Sequence, residues 1–199
     1  MIEPPEPHSG TPASDMRLED QMALVLGRMM LRFAALEATC RILLQTVLDL
    51  DTEEDKKVIY VLSGISFRKS REALLASARA QDVDPHKIES LKAILRRAAR
   101  IEERRNALTH SVWIYSDLPE EISREKRHIA ASGNARTDQE RFSDVNEILS
   151  FVQEIDLTCG SMFTWLRLEY LGVGMIFSSV TLDVTRGEDG KPGVTVSFS

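Results

Sequence analysis

A long stripe of apolar residues near the start of the chain constrains its fold more than any other feature. Its members recur at alternating intervals of four and three positions: Met22, Leu26, Met29, Phe33, Leu36, Cys40, Leu43 and Val47. This spacing places all eight side chains on one side of an α-helix. A long helix with one continuous apolar side predicts packing against partner helices, either within the chain or across a dimer.

Four more segments carry helical spacing, at residues 53–63, 67–80, about 85–110 and about 144–171. The last begins with Asp144 and Glu147 at the spacing of a capping box. The apolar positions expected to face inward in the two longest are Ile88, Leu91, Ile94, Leu95, Ala98 and Ile101, then Ile148, Val152, Ile155, Leu157, Met162, Phe163, Leu166 and Leu171.

Two regions alternate apolar and polar residues as β-strands do. Val112–Tyr115 predicts a short strand, for which Lys126–Ala131 is the expected partner. Near the C-terminus, 180–184 and 194–198 alternate on either side of a loop with Asp189-Gly190, which predicts a β-hairpin.

The sequence therefore predicts a mainly α protein of one domain. We expect an up-and-down helical bundle over residues 15–175, with a short β excursion near 112–131, and a C-terminal β-hairpin over 176–199. Residues 1–14 include four prolines and few residues to bury, so they are expected to form a disordered tail.

Composition narrows the functional classes. The net charge of −6 argues mildly against general nucleic-acid binding. The two cysteines, Cys40 and Cys159, lie in helical patterns without a CxxC spacing, so we expect core residues and no zinc site. The chain has no phosphate-binding glycine loop, no apolar run long enough for a membrane span and no signal-peptide pattern at its start. We expect a cytoplasmic protein without a membrane segment, a bound metal or a cofactor.

One short segment combines groups that are suited to phosphodiester chemistry. Arg105, Asn106 and His110 place a permanent cation, an amide and an imidazole within about two helical turns. Arg105 also continues the inward row of its helix, where an unpaired charge would cost several kcal/mol. It must meet a carboxylate, line a wet cleft or face another subunit, and Glu37 of the first helix is the candidate carboxylate.

These residues resemble the motif of the HEPN superfamily, which is an Arg, four to six residues and a His late in a helix of a bundle, often with Asn after the Arg. Other segments similar to bacterial members are Ala34-Ala35-Leu36-Glu37 and Ser66-Phe67-Arg68-Lys69-Ser70. The resemblance covers residues 16 to about 170. Arg79 with His86 has a permitted spacing too, but Pro85 and two aspartates between them break any helix. Arg104 with His110 also fits, but Arg104 lacks the directly following Asn and the inward position that Arg105 has.

The resemblance implies a metal-independent endoribonuclease of the toxin or phage-defence type, in which a ribose 2′-OH attacks phosphorus and leaves a 2′,3′-cyclic phosphate. His110 would exchange protons, and Arg105 would hold the phosphorane. Asn106 would orient the imidazole or a non-bridging oxygen, with Glu37 in support. Family members usually build composite sites across a homodimer, and an antitoxin or other regulatory protein is an expected partner. The residues expected to contact RNA are Arg96, Arg100 and Arg104, which recur every four positions on an outward face, and the aromatic Trp113 and Tyr115.

Plainer interpretations remain open. Arg105 and Glu37 could form a structural ion pair, with His110 favoured only by the end of a helix dipole, and the arginine row could be an ordinary solvated face. A non-catalytic HEPN-like module that binds a partner protein or RNA is the main alternative, favoured by the acidic composition and by the edge of the hairpin. A helical-bundle sensor of a small ligand is a third.

Overall fold

The computed structural model describes residues 16–51, 53–115, 122–129, 135–142, 144–172, 180–186 and 192–198. Within these ranges the helices are α1 (Leu18–Val47), α2 (Lys56–Ser63), α3 (Phe67–Ala80), α4 (Pro85–Thr109) and α5 (Asn146–Thr164), and a π-helical segment, Trp165–Tyr170, follows α5 directly. The strands are β1 (Val112–Tyr115), β2 (Ile122–Ile129), β3 (Ala135–Phe142), β4 (Val180–Arg186) and β5 (Pro192–Phe198). The chain is therefore mainly α, as predicted, while the expected tail at residues 1–14 lies outside the described residues.

The apolar stripe of α1 is buried inside the chain. Seven of its eight members are buried and Leu26 is half-buried: the seven are Met22, Met29, Phe33, Leu36, Cys40, Leu43 and Val47. The helix packs mainly against α5 and α3, with further contacts to α4 and α2. Of the two alternatives for this stripe, packing within the chain is the one observed.

The boundaries of α3 and α4 follow from local capping. The Ser66 hydroxyl accepts a hydrogen bond from the Lys69 N–H at 3.3 Å, which satisfies one of the free donors at the start of α3. The Asp84 carboxylate does the same for the His86 N–H at 2.8 Å, and Pro85 occupies the first turn of α4. Five of the six predicted inward residues of α4 are buried, and Ile94 is half-buried.

Helix α5 departs from the prediction in two respects. Asp144 accepts a hydrogen bond from the Asn146 N–H at 2.7 Å, but Glu147 extends to Arg104 of α4 at 2.6 Å, so the capping box does not form. Leu157 is 68% exposed, although the sequence placed it inside. It follows the buried Ile155 by two positions, about 200° around the helix, so the two cannot share a face. Leu171, also predicted inside, is exposed beyond the π-helical segment.

The β excursion is a three-stranded antiparallel sheet in the order β1-β2-β3. Strand β1 pairs with the first half of β2, with Tyr115 opposite Ile122 and Val112 opposite Glu125, so the predicted pairing with Lys126–Ala131 is wrong in register. The sequence analysis did not predict β3, whose residues are almost all polar and lack an apolar alternation. Ile122 and Phe142 lie opposite each other, and both are buried.

The C-terminal hairpin is present as predicted, with β4 and β5 antiparallel and Leu182 opposite Val196. In the described part of the chain, no helix is long and apolar enough to cross a membrane. Both cysteines pack with the core, and burial raises the pKa of the Cys40 thiol to about 12 and that of Cys159 to about 11. Both thiols are therefore protonated at neutral pH.

Two leucines that the sequence placed inside provide a test of this packing. Leu36 is fully buried in α1, whereas Leu157 is mostly exposed on α5. Leu36→Ala is expected to lower the free energy of unfolding by about 2–5 kcal/mol, since it leaves a cavity. Leu157→Ala is expected to change it by no more than about 0.5 kcal/mol. Urea unfolding followed by circular dichroism measures both, and equal losses would contradict the described orientation of α5.

Candidate active site at the end of helix α4

The C-terminal end of α4 is held by side chains that bind its last carbonyl groups. A helix leaves these carbonyls without partners inside the helix, and here four consecutive ones accept a hydrogen bond from the following residues. The pairs are Thr109 Oγ1 to Arg105 O at 3.0 Å, His110 N to Asn106 O at 3.0 Å, Ser111 Oγ to Ala107 O, and Trp113 Nε1 to Leu108 O at 3.0 Å. His110 therefore lies at a helix end whose last carbonyl groups all have hydrogen-bond partners.

His110 and Asn106 share an open groove of about 640 Å³. The groove runs between the last turns of α4 and the edge formed by β1 and β2, and its lining residues are Glu103, Asn106, Ala107, His110, Ser111, Val112 and Glu125. His110 is exposed, and Asn106 lies one turn earlier on the same side of the helix. The groove thus offers an imidazole and an amide to a molecule that enters from solvent.

Arg105 points to a different place, the interface with α1. Its Cζ lies 4.0 Å from the centroid of the Phe33 ring, and its Nη2 lies 4.0 Å from Glu37 Oε1. The side chains of Arg105 and Glu37 are 20% and 26% exposed, so the pair is partly shielded from water. The ion pair predicted from two misplaced charges is present. Among the described residues, Arg105 Nε is buried without a hydrogen-bond partner.

The separation of Arg105 from His110 follows from helix geometry. Five residues correspond to about 500° of rotation, so the two side chains leave α4 about 140° apart. Arg105 is not among the described residues that line the groove. One copy of the chain therefore joins two of the three predicted catalytic residues, and places the third behind the helix.

The three arginines predicted to contact RNA have different surroundings. Arg96 and Arg100 are exposed, but the guanidinium of Arg104 is engaged with α5. It lies 2.6 Å from Glu147 Oε1, with its Cζ 4.6 Å from the Phe151 ring centroid. Each step of four residues advances about 40° around a helix, so the row turns away from the Arg96 side and meets α5 by Arg104.

Trp113 is largely occupied by packing contacts. Its indole N–H donates to the Leu108 carbonyl, and its ring lies 5.4 Å from that of Phe142 in β3. These contacts fasten the sheet to α4, which accounts for an aromatic residue at this position without RNA. The backbone of Tyr115 pairs with Ile122, and the Tyr115 side chain lies outside the described part of the structure.

Sequence reasoning missed the carboxylates of the groove. Glu103 precedes Asn106 by three residues on the same face of α4, a spacing that the sequence does show. Glu125 comes from β2, and only the register that places it opposite Val112 brings it here. The two carboxylates repel a phosphate group that enters the groove.

Among the described residues, no group of three or more His, Cys, Asp or Glu side chains could hold a metal ion. No family model, curated protein sequence or solved structure matches this chain. The HEPN resemblance of Arg105, Asn106 and His110 therefore stays a prediction from the sequence, beside the geometry described above.

Two ion pairs on α4 provide a test of how firmly Arg105 is held. Arg71 of α3 donates to Glu102 in a close and better buried pair, whereas Arg105 and Glu37 only reach 4.0 Å. Double-mutant cycles with Arg→Met and Glu→Gln are expected to give a coupling of roughly 1–3 kcal/mol for Arg71 with Glu102. The coupling of Arg105 with Glu37 is expected to stay below about 1 kcal/mol. Urea unfolding measures both, and a stronger Arg105 coupling would identify a mainly structural arginine.

Proposed function

We propose that the chain is a HEPN-type, metal-independent endoribonuclease that acts as a homodimer. The observation that carries the proposal is the position of His110, exposed in an open groove at an anchored helix end with Asn106 one turn away. A general acid or base has to reach the proton it transfers, and it needs a fixed position to do so. His110 meets both conditions.

The proposed reaction needs no group beyond the RNA and the side chains. The ribose 2′-oxygen attacks the adjacent phosphorus, the bond from phosphorus to the 5′-oxygen breaks, and the products are a 2′,3′-cyclic phosphate and a 5′-OH. One proton leaves the 2′-oxygen and one returns to the 5′-oxygen. An imidazole exchanges protons at neutral pH and can perform either transfer, while the Asn106 amide orients it or a non-bridging oxygen.

Arg105 would stabilise the negative charge of the phosphorane from a composite site. Its contact with Glu37 is long and its side chain stays 20% exposed, so the terminal nitrogens of the guanidinium keep donors to offer. A guanidinium binds phosphate oxygens through two parallel donors. Because Arg105 and His110 face different sides of α4, we propose that a second copy of the chain brings its own His110 toward Arg105.

The outer side of α1 offers a surface for that second copy. Leu24 and Leu31 are 62% and 75% exposed there, opposite the side used by the core, and Met30, 41% exposed, lies on the flank of α1 that carries Glu37. Exposed apolar side chains grouped on one helix are typical of protein interfaces. An enzyme that cuts RNA needs restraint, so the proposal includes a toxin or phage-defence role with an antitoxin or other regulatory partner.

The His110→Ala variant tests the chemistry. Loss of the proton-transfer group is expected to reduce cleavage of single-stranded RNA by about 10²- to 10⁴-fold, and to remove any growth inhibition on expression. His86→Ala is the matched control, since His86 is an exposed histidine at the opposite end of α4. Cleavage is measured on labelled RNA in the presence of EDTA, with cyclic phosphate detected at the product end. Unchanged cleavage by His110→Ala, or loss of cleavage with EDTA, would reject the proposal.

Mixing two inactive variants tests the composite site. If Arg105 and His110 act across a dimer, a heterodimer of Arg105→Ala and His110→Ala contains one intact site and one empty site. Free exchange of subunits is then expected to restore about a quarter of the wild-type activity. If both residues act within one copy, the mixture stays as inactive as each variant alone. Chromatography with light scattering checks that both variants remain dimers.

A non-catalytic binding module is the second candidate, and the two groove carboxylates favour it. Glu103 and Glu125 line the groove beside His110, and carboxylates there suit a basic segment of a partner protein better than a phosphodiester. Under this alternative, wild-type protein does not cleave RNA and is not toxic. A stable complex that Glu103→Gln weakens would then identify the groove as a protein-binding site.

A further inference from the structure

A second cleft lies between α3 and α4, away from the His110 groove. Its volume is about 300 Å³, and its lining residues are Arg71, Glu72, Leu75, Lys92, Leu95, Arg96 and Ala99. Leu75, Leu95 and Ala99 supply apolar surface, and the charged side chains surround it. Within the described part of the chain, this arrangement joins an apolar floor to three cations, and the candidate active site does not account for it.

The charge of this cleft is positive in an acidic protein. The segment that contains α3 and α4, residues 67–109, has eleven Lys and Arg against six Asp and Glu, a net charge of +5, while the whole chain carries −6. Glu72 is the one carboxylate of the cleft lining, and Arg68 and Lys69 offset it at 2.9 and 3.1 Å. Local positive potential of this kind attracts phosphate groups regardless of the net charge.

Arg71 is held rigidly at the inner end of the cleft. It donates to Glu102, its Nη1 reaches the Leu95 carbonyl at 3.5 Å, and its Cζ lies 5.0 Å from the Phe67 ring centroid. Lys92 and Arg96 are less constrained. Lys92 pairs with its neighbour Glu89, and Arg96 is exposed. The cations of the cleft with the fewest contacts that would hold them back from an incoming phosphate are therefore Lys92 and Arg96.

The cleft and the His110 groove lie on one line along α4. The α4 residues that line them and keep to a single face are Lys92, Arg96, Ala99, Glu103, Asn106 and His110, at intervals of four and three. Alternating intervals keep side chains on one face of a helix, whereas repeated steps of four do not. From Lys92 to His110 this face extends about 27 Å. A linear polyanion lying along it would contact both concavities.

We infer that this face of α4, from Lys92 to His110 together with Leu75 of α3, is a track for single-stranded RNA. Lys92 and Arg96 contact backbone phosphates, and a base packs on Leu75, Leu95 and Ala99, so that the strand is led to His110. That the bound strand is cleaved at His110 rests on the proposed function, whereas the binding of the strand to this face does not. A volume of 300 Å³ admits one base and excludes a paired helix.

Glu103 stands in the middle of the track as a repulsive group. It is exposed and lines the His110 groove between the basic cleft and the imidazole. A phosphate passing this point meets a like charge, which lowers affinity for every strand. The track therefore predicts opposite effects for the loss of its cations and for the loss of this carboxylate.

Fluorescence anisotropy with 2′-O-methyl RNA tests the track without cleavage, because the methyl group blocks attack by the 2′-oxygen. The probe is a single strand of about 12 nucleotides, within the site sizes of such grooves. Lys92→Gln with Arg96→Gln is expected to weaken binding roughly tenfold and to reduce the slope of log affinity against log salt by about 1.4. Glu103→Gln is expected to strengthen binding about threefold. The matched control, Arg97→Gln, removes an exposed neighbouring arginine that does not line the cleft, and it should change affinity less than twofold, about the effect of an unspecific charge.

Equal weakening by Arg97→Gln, or unchanged binding by the Lys92 and Arg96 variant, would overturn the inference. So would displacement of the probe by AMP at equal concentration, since that identifies a mononucleotide pocket, or equal affinity for double-stranded RNA. Melting temperatures within a few degrees of wild type establish that the variants fold. Track-dependent binding by a wild-type protein that cleaves no RNA would remove the proposed function and leave the track. Cleavage that does not depend on Lys92 and Arg96 would remove the track and leave the proposed function.

Discussion

Burial of one side of α1 is the constraint on which the rest of the structure depends. Because this side is apolar without interruption, α3, α4 and α5 can satisfy it only by presenting their own apolar sides to it. That requirement fixes the rotation of α4 about its axis, and the stack of Arg105 on Phe33 occupies the same interface. Once the inward side of α4 is fixed, its outward side is fixed as well. The position of His110 is therefore a consequence of core packing more than of any local preference.

The division of α4 into two sides explains why its six-residue motif does not form a complete site in one copy. Arg105 belongs to the inward row with Ile101 and Leu108, both buried. Asn106 and His110 belong to the outward face, with Glu103 and Arg96. A spacing of five residues between cation and imidazole guarantees this division on a regular helix. The proposed composite site would join Arg105 of one copy to His110 of another without distorting the helix, whereas a purely structural Arg105 would leave His110 without that cation.

The sequence predicted the elements whose ends are set by local interactions. It did not predict the features that depend on how distant segments of the chain pair. Phe67–Ala80 was predicted with its observed ends, because Ser66 caps one end and the polar residues before Pro85 terminate the other. The prediction that Leu157 faces inward is wrong because it rests on residue type alone, whereas Leu157 lies about 200° around the helix from the buried Ile155. Strand β3 has a polar sequence and forms through its pairing with β2, which no local pattern encodes. Glu125 joins the groove only through that sheet, so half of the local charge around His110 was invisible from the helix alone.

The distribution of charge is compatible with the proposal that this acidic protein binds a polyanion. Residues 67–109 are net positive, so the remainder of the chain carries a larger negative charge than the total of −6 suggests. At physiological ionic strength charges act over about 8 Å, so a strand on the α4 face responds to Lys92, Arg96 and Glu103 and hardly to distant carboxylates. The proposed binding of RNA would then depend on the local charge of the α4 face and not on the net charge of the protein.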